Sequence, residues 1–265
     1  MKQGYLKRVC AMALTACLML MATVAFPAPA RAENAKKVPV LTYHKVVSKK
    51  RKKKHPEARM TLSVGQFARQ MRWLRKKHYT AITCDELYRW HEGELTLPKR
   101  SVLITFDDGY ASTIERIIPV LEKYDLKATV FVIGATTYYG EHSKYISTRR
   151  IRELRKSCPR LEFQSHTWNL HKKKRKARSY ARYAADAKKQ MDAYGFEYVA
   201  YPFGFVTRKM VRAYRDNGIR MGFLFGDMFS GFATRNQSRY AIRRLEVPGT
   251  MTMDEFKKML ESPGR

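Results

Sequence analysis

Two short stretches of this chain end in side chains that could do chemistry together. Residues 101–110 read SVLITFDDGY, an apolar run that stops on adjacent carboxylates at Asp107 and Asp108. Further on, LEFQ leads into SHTWNLH, which places His166 and His171 just beyond another apolar run. Imidazole and carboxylate together suit a borderline divalent ion such as zinc, and two histidines plus one carboxylate leave coordination positions open for water and substrate. An open position is what a hydrolytic metal site needs, and a carboxylate held close without binding the ion can serve as a base. Successive side chains of a strand point to opposite faces. Asp107 and Asp108 therefore reach one site only if the strand has ended and Gly109 lets the backbone turn. The competing readings are bland: an Asp of DDG caps a helix beginning near Ala111, and the histidines sit on a solvated polar loop.

The elements that must carry these residues follow from periodicity. Val102, Leu103, Ile104 and Phe106 make a run long enough for a buried strand and too short for a stable helix. VPVLTY at 38–43 reads as a strand leading to His44. A helix follows over 61–77, with Ser63 as N-cap and Phe67, Met71 and Leu74 at helical spacing. A short strand at 79–82 comes next, and Thr83 with Glu86 forms a capping box for a helix reaching Trp90. Beyond DDG the pattern predicts helices over 111–124, 148–156, 180–194 and 207–217, interleaved with strands at 128–133, 161–164, 198–201 and 221–225. Residues 226–240 read as a loop, 242–247 as a last strand and 252–260 as a closing helix. Apolar strands alternating with helices predict an α/β fold with a parallel sheet, open or closed into a barrel; about seven or eight such units favour the barrel, a distorted (β/α) barrel with about seven strands. Sites on that architecture gather at the C-terminal ends of strands, where DDG and both histidines lie.

Residues 1–32 read as export signal rather than fold. Lys7 and Arg8 precede an apolar run from Val9 to Phe26, and Ala30-Arg31-Ala32 offers small residues where a signal peptidase cuts. Leu14-Thr15-Ala16-Cys17 also resembles a lipoprotein cleavage box, and an uncleaved anchor is a third reading. Each places residues 33–265 outside the cytoplasm, as one large domain. The 265-residue chain carries a net charge of +30, which implies attraction to something anionic, such as an envelope polymer or a membrane surface. Much of the excess sits in two runs, Lys49–Lys54 and Lys172–Lys176, expected to be solvated loops. Nucleic acid is not expected, because no helix-turn-helix, zinc-finger or RNA-binding aromatic pattern accompanies the charge. Only Cys84 and Cys158 follow the leader, so one disulfide is allowed, while a disulfide scaffold and a cysteine-based zinc site are excluded.

Over most of the part after the leader, the chain resembles the polysaccharide deacetylases of the NodB-like group, metal-dependent enzymes that remove N- or O-acetyl groups from sugars. TFDDGY is similar to the first motif of that family and SHTWNLH to the second. The resemblance implies Asp107 as catalytic base and Asp108, His166 and His171 as ligands of one divalent ion, zinc first, with cobalt, nickel or iron as alternatives. YPFG at 201–204 resembles a degenerate third motif forming one wall of a sugar groove. Two departures matter. Many members carry a late Leu-x-x-His whose histidine is the general acid, and no histidine follows His171 here. The long SHT…LH spacing and the early Tyr-His of LTYHKV resemble the branch acting on poly-β-1,6-N-acetyl-D-glucosamine, an exported biofilm polysaccharide, and imply His44 as the acid. The arginine that normally precedes Pro-x-Gly and orients the base is replaced by Ala200 and Tyr201; Ile242-Arg243-Arg244-Leu245 offers Arg244 instead, with Arg243 and a surface role as alternatives.

The chemistry agrees with these roles. An acetamide is a poor electrophile and water a poor nucleophile, so an ion that brings the pKa of bound water toward about 7 and polarises the carbonyl addresses both difficulties. Asp107 would remove the proton as water attacks, and a backbone N–H near Tyr110 would help hold the oxyanion. An amine is too basic to leave unprotonated, which calls for a second titrating group opposite the base; strand logic places His44 there. The sugar would lie along an aromatic-lined groove, for which Tyr110, Trp168, Tyr201, Phe203 and Gly204 are the candidates. The expectation is an exported, monomeric, metal-dependent deacetylase of polymeric N-acetylglucosamine. Peptidoglycan, chitin oligomers and O-acetylated xylan stand as alternative substrates, and a non-catalytic binder of anionic envelope polymers as an alternative of a different class.

Overall fold

The computed structural model describes residues 34–139, 144–172, 176–226, 228 and 230–261; the expected leader, with Cys17, lies outside these residues. At the centre is β5 (Ser101–Phe106), all six of whose residues are buried. It pairs in parallel with β1 (Val40–Tyr43) and β6 (Ala128–Val132), and its first half also pairs with β4 (Thr80–Ile82). Beyond β6 come β7 (Leu161–Ser165), β8 (Tyr198–Ala200) and β9 (Met221–Phe223); beyond β1 comes β10 (Leu245–Glu246). Seven strands thus run in the order β10-β1-β5-β6-β7-β8-β9. The row curls back on itself: Ile242 bridges to Phe223 of β9 while Leu245 pairs with Leu41 of β1. Because residues 242–246 change partner midway, the last strand builds only a short ladder, and the strand expected over 242–247 contracts to two residues.

Alternation sorts the core into two faces. In β5, Val102, Ile104 and Phe106 pack outward with Phe67, Met71 and Leu74 of α2 (Val64–Lys76) and Ile114, Ile117 and Leu121 of α4 (Ala111–Tyr124). Leu103 belongs to the barrel interior with Val40, Phe131, Tyr198, Ala200 and Phe223. The far half is covered by α7 (Tyr180–Tyr194) and α8 (Arg208–Asp216), which pack over Val199 and Tyr201. Short α5 (Gly134–Tyr139), α6 (Thr148–Ser157) and the closing α9 (Met253–Glu261) complete the outer layer, while α3 (Cys84–His91) sends Leu87 and Trp90 into the interior cluster. Ser63 with Gln66 and Thr83 with Glu86 both form complete capping boxes.

Two local readings are corrected. The basic run at 49–54 is helical rather than a loop: α1 (Lys49–Lys54) is capped by the Ser48 side chain, and Lys52 Nζ folds back to the carbonyl oxygens of Pro56 and Ala58 at 2.8 and 3.1 Å. The segments flanking it, β2 (Lys45–Val47) and β3 (Thr61–Ser63), pair in parallel as a separate two-stranded sheet, so the helix expected from 61 begins at Val64. Cys84 and Cys158 are both buried and free. Among the described residues no helix is long and apolar enough to cross a membrane.

Candidate active site

The chain delivers two neighbouring acids to one place by different means. Asp107 continues the inward alternation of Leu103 and Thr105, and its N–H donates to the Tyr43 carbonyl at 2.9 Å. Asp108 would face outward, but it and Gly109 both take left-handed backbone, with φ of 75° and 76°. That turn brings its carboxylate back over the barrel mouth. A Cβ on Gly109 would lie 2.8 Å from Val132 Cγ1, so the position requires glycine on conformational and steric grounds alike. The helix-capping reading of DDG falls away, since the N-cap of α4 is Tyr110 and no side chain caps it.

Asp107 is locked by Arg244. The guanidinium donates Nη1–H to Oδ1 and Nη2–H to Oδ2, both at 2.8 Å, and each residue is only 2% exposed. Arg244 Nε–H is anchored on the Leu224 carbonyl at 2.7 Å, and Nη1 also reaches Thr105 Oγ1 at 3.3 Å. Burial by itself would raise the Asp107 carboxyl; the guanidinium beside it, aided by His166 and His44, holds it well below the usual carboxylate range. The result is an ionised acceptor in a fixed plane. Arg243 is exposed, as alternation from the buried Ile242 demands.

The histidines meet Asp108 from the end of β7. His166 N–H donates to the Val132 carbonyl, and its Nδ1 lies 2.8 Å from the Ala200 carbonyl oxygen, which assigns the proton to Nδ1 and leaves the Nε2 lone pair free. His166 Nε2 is 3.6 Å and His171 Nε2 3.2 Å from Asp108 Oδ1. Their ligand-capable atoms all lie within 4.8 Å of one another. Asp108 Oδ1 is buried and accepts no hydrogen bond among the described residues. A divalent ion among these three atoms would satisfy that orphaned oxygen, and the donor set fits zinc chemistry. Burial also lowers the His166 pKa, favouring the neutral imidazole that a metal requires.

One residue that positions this loop has no counterpart in the sequence reading. The N–H groups of Trp168 and Asn169 each donate to Asp186 of α7 at 2.9 Å, and Tyr214 O–H donates to the same carboxylate at 2.6 Å. Thr167, next to His166 and to this anchor, has φ of 66°, so the loop is bent as well as tethered. The available signal was spacing: Asp186 shares the buried stripe of Tyr183, Ala187 and Gln190 on α7, where an acid needs a reason to be.

The five residues Asp107, Asp108, His166, His171 and His44 line one cleft of about 240 Å³. His44 follows directly after β1, with its ring edge-on to Phe225 at 5.3 Å. Tyr110 lines the cleft and stacks on Tyr145 at 5.1 Å; burial, and then the nearby Asp108, raise its pKa. Phe203 lies 4.6 Å from the His171 ring and is 37% exposed. Gly204 is buried beneath it, where a Cβ would sit 2.0 Å from the Phe225 carbonyl oxygen. Lys45, Met60 and Phe225 also line the cleft and were not foreseen. Two expected groove residues are not brought there. Tyr201 shares the outward parity of Val199 and is fully buried under α7 and α8, and Trp168 is turned onto Gly134, Tyr138 and Tyr194 behind the histidine loop.

Fold and site together make a parallel α/β barrel with a candidate site for one divalent cation at its mouth. Residues 94–222 match the family model described as polysaccharide deacetylase. The poly-beta-1,6-N-acetyl-D-glucosamine N-deacetylase of Staphylococcus epidermidis is 28% identical over 212 residues, covering 74% of this chain and 70% of that protein. Among solved structures, the Streptococcus pyogenes deacetylase PplD in complex with acetate aligns with a TM-score of 0.74 at 22% identity, over 85% of this chain and 99% of that one. IcaB from Ammonifex degensii aligns with a TM-score of 0.68 at 24% identity, over 86% and 99%. Residues 94–222 thus carry a polysaccharide deacetylase (NodB-like) domain, and the relatives and structures the chain resembles are deacetylases.

Proposed function

We propose that this enzyme is a metal-dependent hydrolase that removes N-acetyl groups from a polymeric N-acetylglucosamine glycan, with poly-β-1,6-N-acetylglucosamine favoured. The observation that carries the reading is the placement of an arginine-locked Asp107 beside the Asp108, His166 and His171 cluster, in one cleft with His44. Asp108, His166 and His171 would hold the ion, which when bound makes water acidic and polarises an acyl oxygen. Asp107, ionised and held off the cation by Arg244, accepts the proton of the attacking water. His44 gives a proton to the departing nitrogen, and a backbone N–H near Tyr110 holds the developing oxyanion. Phe203 and Phe225 supply apolar surface along which a sugar ring can lie.

The relative from Staphylococcus epidermidis supports the choice of glycan, as do the early His44 and the lack of any histidine after His171. We further propose that residues 1–32 are an export leader, that 33–265 form the catalytic domain, and that it works outside the cytoplasm as a monomer. Acetate release by zinc-loaded enzyme from poly-β-1,6-N-acetylglucosamine, chitin oligomers, peptidoglycan and acetylated xylan tests the assignment. Release should be fastest from the first. Preference for another polymer would replace the glycan, and zinc binding without release from any of the four would favour the binding-protein alternative.

A further inference from the structure

Away from the catalytic cleft, α1 and the first turns of α2 enclose a concave groove of about 470 Å³, a volume that accommodates a small ligand or one unit of a polymer. We propose that this groove binds a phosphodiester-bearing polyanion, docking the enzyme on a phosphate-rich chain at a site separate from the chemistry and independent of the catalytic reading.

Lys49 and Lys53 of α1 and Arg69 of α2 line the groove, and among the described residues none of the three side chains makes a hydrogen bond or an ion pair. Their neighbours are treated differently: Arg59 is clamped to Glu246 at 2.8 Å, Arg75 pairs with Asp125 and Lys77 with Glu261. The helix that presents the cations is built against its own electrostatics. It comprises six consecutive basic residues with no acid in its first turn, so like charges one turn apart repel and the N-terminal end of the helix dipole is unfavourably matched. What holds it is the Ser48 cap and the buried Lys52, whose ammonium is spent on two carbonyl oxygens. An anion in the groove would relieve the repulsion. Two ammonium groups and a guanidinium fork match phosphate oxygens.

A recessed polymer fits better than a bilayer. Membrane-surface elements add apolar side chains that enter the interface, whereas among the described residues the exposed large apolar ones are Tyr138, Tyr180, Phe203 and Met228, none of which lines the groove. The groove is also tied to the cleft. Ser63 at the end of β3 lines the groove, Met60 just before β3 lines the cleft, and Lys45 N–H donates to the Met60 carbonyl at 3.1 Å. A polymer held at α1 would keep its neighbouring glycan within the enzyme's reach.

The test uses the full chain and soluble poly(glycerol phosphate) as probe. Binding is compared for the unaltered protein, for Lys49→Gln/Lys53→Gln/Arg69→Gln, and for Lys156→Gln/Arg182→Gln/Lys209→Gln, which removes equal charge from other exposed positions. The groove variant should weaken binding by about tenfold or more and the control by less than about threefold, with unchanged melting and unchanged acetate release from a neutral oligosaccharide. Equal weakening in the two variants, no binding by the unaltered protein, equally tight binding of poly-glutamate, or tighter binding to phosphatidylglycerol vesicles than to the soluble chain would each overturn the proposal.

Discussion

Adjacent acids rarely share an environment, and Asp107 and Asp108 are separated as far as two neighbours can be. One has both oxygens taken up by a guanidinium, and the other has a buried oxygen with no hydrogen-bond donor among the described residues. Different chemistry follows from that difference. Asp107→Asn should still bind zinc but lose acetate release by at least about a hundredfold; full activity in this variant would remove the base assignment. His44→Ala should lower turnover with zinc still bound, and normal turnover would move the search for the acid to another group. Arg244→Met leaves a buried carboxylate unpaired and should cost about 3–5 kcal/mol in urea unfolding, while adding Asp107→Asn should recover part of that loss. If single and double variants were equally unstable, the two residues would not be energetically coupled. At this scale DDG and the histidine pair were legible because their types and spacing are chemically specific. Lys45 and Asp186 were not, because a lysine or an aspartate announces a role only once its surroundings are known.

The elements around the site explain which side chains reach it. Strand alternation sends Asp107 and Arg244 inward and Tyr201 outward, so one rule accounts for two expected placements and one corrected one. The loop that carries both histidines is less regular and depends on α7. Asp186→Asn keeps the shape but exchanges one acceptor for a donor facing the loop's N–H groups. Zinc affinity should fall by about 10–100-fold, the range expected when a support of a metal ligand is lost, with the far-ultraviolet circular dichroism unchanged. An unaltered affinity in a competitive chelator titration would mean that the loop holds itself. Capping boxes at Ser63 and Thr83 could be read locally, since both partners lie within one turn. The β2–β3 pair could not, because strands of three residues acquire their pattern only from a partner across an intervening helix.

At the scale of the molecule, a parallel barrel collects residues from distant parts of the chain at one mouth, and a single ion would tie those segments together. Removing divalent metal with a chelator should abolish acetate release and lower the melting temperature, and zinc should restore both, because an ion that binds only the native chain stabilises it by mass action. Undiminished release after exhaustive chelation would rule out metal dependence. The amino-acid sequence by itself determined the alternation of strands and helices, the barrel class, the two acids and the two histidines, since periodicity and side-chain chemistry are local properties. Only the tertiary structure decided that Arg244 rather than Arg243 meets Asp107, that Trp168 and Tyr201 face away from the cleft, and that a basic run becomes a helix beside a groove. Those outcomes depend on strand parity, sheet curvature and contacts between remote segments, and local spacing does not encode them.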